Sequence, residues 1–343
     1  MKKTLALLLV GLLVLCGLSA SAFGKKKADL EILPTMESKS EAVNQVWVGT
    51  FQLVWNDLIN EILKQPVEFK GYKSEMAKEL NKQAFTVEDL SENAYYKKWG
   101  LTSPELKTEI EQGIMEKFNE KSAILDGFDW TPGDGKYILY AMLKKDFEYL
   151  QPFDKLKADK FKGSKGKVQY FGIDKKTKGD VRDTVQVLFY NNKKDFALAI
   201  KTRQNDTVYL YRTDDEKTLD KLYLDMMKKY RISTSNPRFT QSDEFKAPNI
   251  DFKSERAFEE LCHKQIKDSD LIIDKAIETV EFKMDNEGVK LKSEAGIATM
   301  KSMLEPKTET RKFYFNDDYV IFLQEKDKPY FALRVTDAKK LQK

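Results

Sequence analysis

The sequence predicts an α+β fold, with a helical N-terminal part followed by large, mostly antiparallel sheets. Two stretches before residue 120 carry apolar residues every three or four positions, which is the spacing of one face of a helix. After the turn residues Pro132–Gly135, short apolar runs of strand length follow one another. Strands and helices do not alternate regularly, and this order favours α+β over a doubly wound parallel sheet.

The two predicted helices of the first third lie at 43–62 and 104–118. In the first, the apolar positions run from Val43 to Ile62, and Pro66 prevents the helix from continuing. The second begins with Ser103 as an N-cap residue and Pro104 at the first helical position.

The strand-rich remainder is read from short apolar or alternating runs. The run at 137–143 is continuously apolar, so we expect it to be buried on both faces. We predict strands at 137–143, 167–173, 184–190, 196–201, 207–211 and 277–283, helices at 216–230 and 254–266, and a closing hairpin of 319–324 and 330–336.

The pattern of residues 1–22 predicts a signal peptide. Lys2 and Lys3 precede a nearly unbroken apolar run from Leu5 to Leu18, and small residues follow at 20–22. The run is short for a membrane span, so we expect a secreted or extracytoplasmic protein without stable membrane insertion. Lipid anchoring through Cys16 is the less favoured alternative, because Leu15 rather than a small residue precedes it.

The rest of the chain divides into a flexible, lysine-rich arm at 23–40 and a single domain at 41–343. Cys262 is the only cysteine after residue 22, so no intramolecular disulfide is possible and a hydrophobic core must supply the stability. The net charge of +4 becomes +2 without residues 1–22, which contain Lys2 and Lys3 but no Asp or Glu. This balance argues against nucleic acid as a partner, and we expect a monomer.

Candidate catalytic and metal-binding residues are scarce. His263 is the only histidine, and its neighbour Cys262 is no partner for it, because adjacent side chains point in different directions on a helix or a strand. Without a second histidine or a Cys-x-x-Cys motif we predict no metal site. The stretch Gly163–Lys167 lacks the spacing of a phosphate loop. We therefore expect no cofactor and no enzymatic activity.

A long stretch at 286–313 contains small, polar and charged residues with almost no anchoring apolar groups. It connects the strand-like run at 277–283 to the aromatic run Phe313–Phe315. Loops of this length are uncommon in compact domains and are usually functional or disordered. The sequence therefore predicts a functional loop near the C-terminus.

Five stretches around this loop carry a resemblance to a known family, in the family's order. Ile138–Leu143 with Gln151–Phe153 resembles a central sheet strand with its Pro-Phe turn, and Phe245–Phe252 with Ala257–Cys262 resembles a strand-then-helix passage. Leu271–Val280 resembles the strand before a reactive loop, and Asp285–Gly288 resembles an acidic-Gly hinge. Phe313–Val335 resembles a closing hairpin, and the family in which these five features occur is the serpins. The resemblance covers residues 105–337, and we expect a divergent bacterial member of that family.

The resemblance implies a mechanical function. Serpins expose a reactive loop as bait, and after cleavage the loop inserts as a strand into a large sheet and carries the trapped protease with it. The implied partner is a serine or cysteine protease. By the same resemblance the reactive loop lies at about 286–312, the hinge at Glu287, Gly288 and Val289, and the scissile bond near Lys301, Ser302 and Met303.

The sequence also departs from the inhibitory serpins. Their hinges carry small residues, whereas Lys290, Lys292 and Glu294 follow Gly288 here. The family's latch is an Asn on the central strand and a His before the hinge, and these positions fall here at Tyr140 or Ala141 and near Asp274. A non-inhibitory serpin-like binding protein is therefore the alternative interpretation, and an unrelated secreted hydrolase is the least favoured.

Overall fold

The computed structural model describes residues 27–289 and 310–342. Its α-helices are α1 (Thr50–Asp57), which continues as a π-helix over Leu58–Leu63, α2 (Glu75–Leu80), α3 (Pro104–Phe118) and α4 (Leu219–Ile232). Its strands are β1 (Leu30–Leu33), β2 (Asn44–Val48), β3 (Tyr95–Leu101), β4 (Tyr137–Leu143), β5 (Phe147–Glu148), β6 (Asp154–Lys160), β7 (Lys167–Ile173), β8 (Val185–Asn192), β9 (Asp195–Lys201), β10 (Thr207–Arg212), β11 (Glu244–Pro248), β12 (Ile250–Ala257), β13 (Ile277–Met284), β14 (Gly288–Val289), β15 (Lys312–Tyr314), β16 (Tyr319–Gln324) and β17 (Pro329–Val335). Helices and several mostly antiparallel sheets form an α+β fold, as predicted.

The largest sheet has seven strands in the order β1-β2-β17-β16-β10-β9-β8. Its middle strands β16 and β17 are buried along almost their whole length, as the continuous apolar runs predict. A four-stranded sheet has the order β15-β11-β7-β6. Three further strand pairs are β12 with β13, β3 with β4, and β5 with β14. The predicted strands, the helix near 216–230 and the closing hairpin are confirmed with shifts of a few residues at their ends.

The predicted helix at 43–62 is wrong in its first part. Residues 44–48 form β2 and pair with β17 from Val48 to Gln45. The consecutive residues Val46, Trp47 and Val48 are all buried, which a one-sided helix would not require. The Gly49 N–H donates to the Tyr330 carbonyl at 3.0 Å, and the helix begins only after it.

The expected flexible arm at 23–40 is wrong for residues 30–33. These form β1, which pairs in parallel with β2, and Ile32 and Leu33 are each only 1% exposed. Burial of these apolar side chains ties the segment to the largest sheet. Residues 23–26 and the predicted signal peptide at 1–22 lie outside the described residues.

The predicted helix at 254–266 is also wrong. Strand β12 extends through Ala257 and pairs with β13 over eight residues, so cross-strand pairing outweighs the local helical pattern. A short 3-10 turn at Glu259–Leu261 follows. Cys262 is buried and His263 is exposed directly after this turn.

Candidate functional site

The candidate site is a cleft between β4 and β13. Strand β4 pairs only with β3, and β13 only with β12, so within the described residues no ladder joins the two facing edges. The cavity between them has a volume of about 1080 Å³. The expectation that 137–143 is buried on both faces is wrong, because on one face Tyr137 is 37% exposed and Leu139 and Leu143 are only half-buried.

An apolar stripe on α1 and its π-helical continuation forms the floor of the cleft. Val54, Leu58 and Ile62 are four residues apart, so they lie along one side of the helix, and all three are half-buried. Buried polar contacts hold α1 in place: the Gln52 side chain donates to Asn56 Oδ1 at 2.8 Å and to the Leu80 carbonyl at 2.8 Å. The floor is therefore a fixed apolar surface that the two strands leave partly uncovered.

Both walls of the cleft are anchored to the body of the protein. On one face of β4, Ile138 and Tyr140 pack in a small core with Ile110 and Ile114 of α3. That helix begins as predicted, because Ser103 Oγ accepts the Leu106 N–H at 3.1 Å. On the opposite wall, Phe282 of β13 stacks on Phe331 of β17 with ring centroids 4.4 Å apart. Widening the cleft therefore requires movement of packed elements.

The predicted hinge lies at one end of the cleft. Gly288 and Val289 form β14 and pair antiparallel with Glu148 and Phe147 of β5, which follows β4 in the chain. Val289 is buried and borders the cleft. The Glu287 carbonyl accepts the Tyr149 N–H at 3.1 Å.

Only glycine fits at position 288 in this conformation. Its φ of +151° is one that residues with a side chain rarely adopt. A Cβ added there would lie 2.4 Å from the Phe147 carbonyl oxygen and 2.8 Å from Glu148 Cα. The hinge backbone therefore lies directly against β5, and Gly288 permits that close approach.

A buried ionic group fixes the strand connection beside the hinge. Lys145 Nζ lies 3.1 Å from Asp206 Oδ1 and 2.8 Å from Glu325 Oε2, and the Tyr330 hydroxyl donates to Asp206 Oδ1 at 2.8 Å. Burial raises the pKa of Asp206, while the attraction of Lys145 opposes that rise. These contacts join the end of β4 to the largest sheet.

The neighbouring Asp146 is different, because its Oδ2 is buried and has no hydrogen-bond partner among the residues that the structure describes. Burial raises the pKa of Asp146 to about 7, and the nearby Lys144 opposes the rise. This carboxyl therefore lacks a close cationic partner at the mouth of the cleft.

A second anchor holds the chain after the predicted reactive loop. Arg311 donates from Nε to Asp243 Oδ1 at 3.0 Å and from Nη2 to Asp243 Oδ2 at 2.7 Å. Its guanidinium also donates to the carbonyls of Asn236 and Arg238 at 2.9 and 2.7 Å. Asp243 is 1% exposed. We call Arg311 and Asp243 the C-terminal anchor; Lys312–Tyr314 then pairs with β11.

Of the sequence-predicted site residues, the structure describes the hinge at Glu287, Gly288 and Val289. The candidate scissile residues Lys301, Ser302 and Met303 lie outside the described residues, as does the loop from 290 to 309. At the latch positions, Tyr140 packs beneath α3, Ala141 is buried and Asp274 is exposed.

Sequence reasoning missed the cleft itself, Asp146 and the C-terminal anchor. The cleft has no local sequence signal, because its walls are more than 130 residues apart in the chain. Within 27–289 and 310–342, no group of His, Cys, Asp and Glu residues is arranged to hold a metal ion. In the same two ranges, no helix combines the length and apolar character needed to cross a membrane.

No protein-family model matches the chain, and no curated protein matches it. Among solved structures, it is similar to Serpin48 of the insect Tenebrio molitor, described as a highly specific serpin, with 11% identity and a TM-score of 0.46 over 84% of this chain and 95% of that one. It is also similar to human thyroxine-binding globulin complexed with thyroxine, with 10% identity and a TM-score of 0.44 over 83% of this chain and 95% of that one. The solved structures to which the chain is similar therefore include a serpin.

Proposed function

We propose that this chain is a secreted serpin-like protease inhibitor, and not itself an enzyme. A serine or cysteine protease would cut the reactive loop, which would then insert as a strand between β4 and β13. The observation that carries the proposal is the position of the hinge. Gly288 and Val289 are already paired with β5 at the mouth of a cleft, and among residues 27–289 and 310–342 no strand lies between its two edges.

The energy for such a movement would come from new pairing and burial. A strand in the cleft would form ladders with β4 and β13, and each new backbone hydrogen bond contributes about 1 kcal/mol net. It would also cover the half-buried stripe of Val54, Leu58 and Ile62. Burying apolar area contributes roughly 25 cal/mol per Å². Cleavage would thus convert an uncovered cleft into a completed sheet.

The observed register supports this course for the sequence after the hinge. If the pairing of Gly288 with Glu148 continued without a bulge, residues 295–299 would lie opposite 141–137 of β4. The segment 295–299 is Ala-Gly-Ile-Ala-Thr, the small-residue run of the loop. Small side chains suit the face that would be covered by α3 and the face that would rest on α1.

The charged residues after the hinge are the main difficulty for strand insertion, and Asp146 would partly compensate for one of them. In the same register Lys290, the residue after Val289, would lie opposite Asp146. Directly opposite residues of opposite charge stabilise a strand pair by roughly 0.2–1 kcal/mol. Asp146 now lacks a hydrogen bond at Oδ2, so an inserted lysine would supply what this carboxyl lacks.

The C-terminal anchor supports the other half of the mechanism. After a cut near Lys301, the new chain start would stay joined to the body through the five hydrogen bonds that Arg311 donates. The hinge side alone would be free to move. A protease bound covalently to that side would be carried along the cleft.

A non-inhibitory, serpin-like binding protein is the second candidate. The composition of the hinge favours it, because Lys290, Lys292 and Glu294 replace small residues. The replaced latch favours it too: Tyr140 packs beneath α3 while Asp274 is exposed. Such a protein would keep the cleft and tolerate loop cleavage without trapping the protease.

The test is incubation of the mature protein with a panel of serine and cysteine proteases, followed by a denaturing gel. Inhibition predicts a band at the summed mass of protein and protease, and none with protease whose catalytic residue has been blocked. Cleaved protein without such a band for any protease would reject the inhibitory mechanism and leave the binding protein.

A further inference from the structure

One wall of the cleft carries a carboxyl group in an unusual place. Glu278 lies on β13, on the same strand face as Val280, Phe282 and Met284, and these three are buried in the main core. Glu278 itself is 4% exposed and borders the cleft. A carboxyl on an otherwise apolar strand face is costly to bury unless it is paired or protonated.

Glu278 is not paired. Both of its carboxyl oxygens are buried, and no group among the described residues meets the geometry of a hydrogen bond to either of them. The groups that act on it are the Phe51 backbone N–H at the start of α1 and, from β12, the guanidinium of Arg256, which lies directly opposite in the strand pair.

Arg256 is already committed to other acceptors. Its Nη1 donates to Glu31 Oε1 and to the Ile32 carbonyl, each at 2.7 Å, and its Nη2 donates to Glu260. In the part of the chain that the structure describes, Arg256 is thus the one charged group that acts on Glu278, and it is bound by two other carboxylates. The attraction left for Glu278 is weak.

Burial is the main influence on the titration of Glu278. It raises the pKa of this carboxyl from 4.5 to about 8, against the smaller effects of the Phe51 N–H and Arg256. Desolvation disfavours the charged form, so the closed structure holds Glu278 as the neutral acid. Water would reach the carboxyl when β13 separates from α1, and the pKa would then fall toward its ordinary value.

We propose that Glu278 is a proton-dependent brake on the opening of the cleft: the protonated acid keeps β13 packed on α1, and loss of the proton releases that strand. The inference rests on the proposed function, because cleft opening is the step that would precede strand insertion. It adds a regulation by pH that the hinge and the loop do not themselves supply.

The sign follows from proton linkage. Between the open-state pKa of about 4.5 and the closed-state pKa of about 8, the closed structure binds one more proton than the open one. Raising the pH across that interval therefore favours opening, by roughly tenfold per pH unit for one proton. Below pH 4.5 and above pH 8, a further change in pH no longer shifts the equilibrium between the closed and the open structure.

The test is hydrogen–deuterium exchange of the β13 amides in the intact, uncleaved protein at pH 5.5 to 8.5, corrected for the pH dependence of unprotected amides. In the unmodified protein we expect protection of residues 277–284 to fall by about tenfold per pH unit near neutrality. In Glu278→Gln that slope should be lost, because the amide mimics the neutral acid, whereas Asp146→Asn, which removes the other cleft carboxyl with a raised pKa, should keep it. Glu281→Gln, an exposed carboxylate on the same strand, should behave as the unmodified protein does.

Equal pH slopes in the unmodified protein and in Glu278→Gln would overturn the proposal. If Glu278→Gln does not fold, the infrared band of a protonated carboxyl decides. It is measured in Asp146→Asn protein, so that Asp146, whose pKa is also raised, does not contribute to the band. The band should be present at pH 6.5 and should disappear near pH 9 together with the β13 protection; loss of protection without loss of the band refutes the brake.

Both readouts use uncleaved protein, so their result does not depend on whether a protease is trapped. Failure of the brake would leave the inhibitory mechanism to be tested by the covalent complex. Failure to trap any protease would leave the pH-dependent opening measurable as before.

Discussion

Replacing Gly288 by alanine is the most direct perturbation of the hinge. An alanine at φ +151° carries backbone strain of about 1–3 kcal/mol. Its Cβ would lie 2.4 Å from the Phe147 carbonyl oxygen, so β14 could not stay paired with β5. The protein can avoid the clash by releasing the hinge. The loss of global stability is then limited to the contacts of the hinge itself, about 2 kcal/mol for its few hydrogen bonds.

A loss of about 2 kcal/mol corresponds to a fall in Tm of roughly 4 °C for a protein of this size. The local effect should be larger. Amide exchange should accelerate at Tyr149, whose N–H donates to the Glu287 carbonyl, while the closing hairpin keeps its protection. If insertion begins from this pairing, the variant should also gain heat stability more slowly after the loop is cut.

Gly166→Ala is the matched control. Gly166 also has a positive φ, +90°, but no atom lies within 4 Å of an added Cβ. The Gly166→Ala variant therefore measures the cost of the backbone strain alone, without a steric clash of the added Cβ. If Gly288→Ala and Gly166→Ala leave Tyr149 equally protected, the hinge is not held against β5 and the reasoning is refuted.

Three further substitutions test the rest of the site. Asp243→Ala should cost about 1.5–3 kcal/mol in urea unfolding, since it removes the buried carboxylate that accepts hydrogen bonds from the half-buried Arg311. Asp215→Ala at an exposed ion pair should cost under about 1 kcal/mol, and equal costs would contradict the anchor. Val54→Glu should change the Tm of uncleaved protein little, since the side chain is half-buried, but it should remove any gain in Tm after cleavage. Ile232→Glu, at a 72% exposed site, should leave any gain in Tm after cleavage unchanged. Asp146→Asn tests the raised pKa of the Asp146 carboxyl, about 7. The free energy of unfolding of the unmodified protein, relative to that of this variant, should fall from pH 4 to pH 7 and then level off; a difference that stays constant with pH would contradict the burial of this carboxyl.

The sequence predicted the strands best where burial is continuous. The runs of β16 and β17 are mostly apolar because both faces are covered, whereas the similar run of β4 is covered less completely. The start of α3 was predictable because Ser103 and Pro104 act within a single turn. Both signals are local.

The wrong predictions came from tertiary pairing. Residues 44–48 carry a helical spacing but form β2, because β17, almost 290 residues later, supplies its hydrogen bonds. The segment 254–257 continues β12 because β13 pairs with it.

The site was predictable only in part. The resemblance singled out Gly288, which lies at one end of the cleft, and its role as a hinge stays a prediction. The cleft itself depends on two strands that do not pair within the described residues, and absence of pairing leaves no pattern in the sequence. Glu278 did have a signal. In the alternating run 277–284 it is the one charged residue on the face of Val280 and Phe282.

The most direct test of the central claim is limited trypsin digestion of the mature protein with thermal melts before and after cleavage. We predict a single early cut near Lys301 and a large rise in Tm, because the released strand fills the cleft between β4 and β13. A single cut there with an unchanged Tm would contradict strand insertion, and with it the proposed inhibitory mechanism.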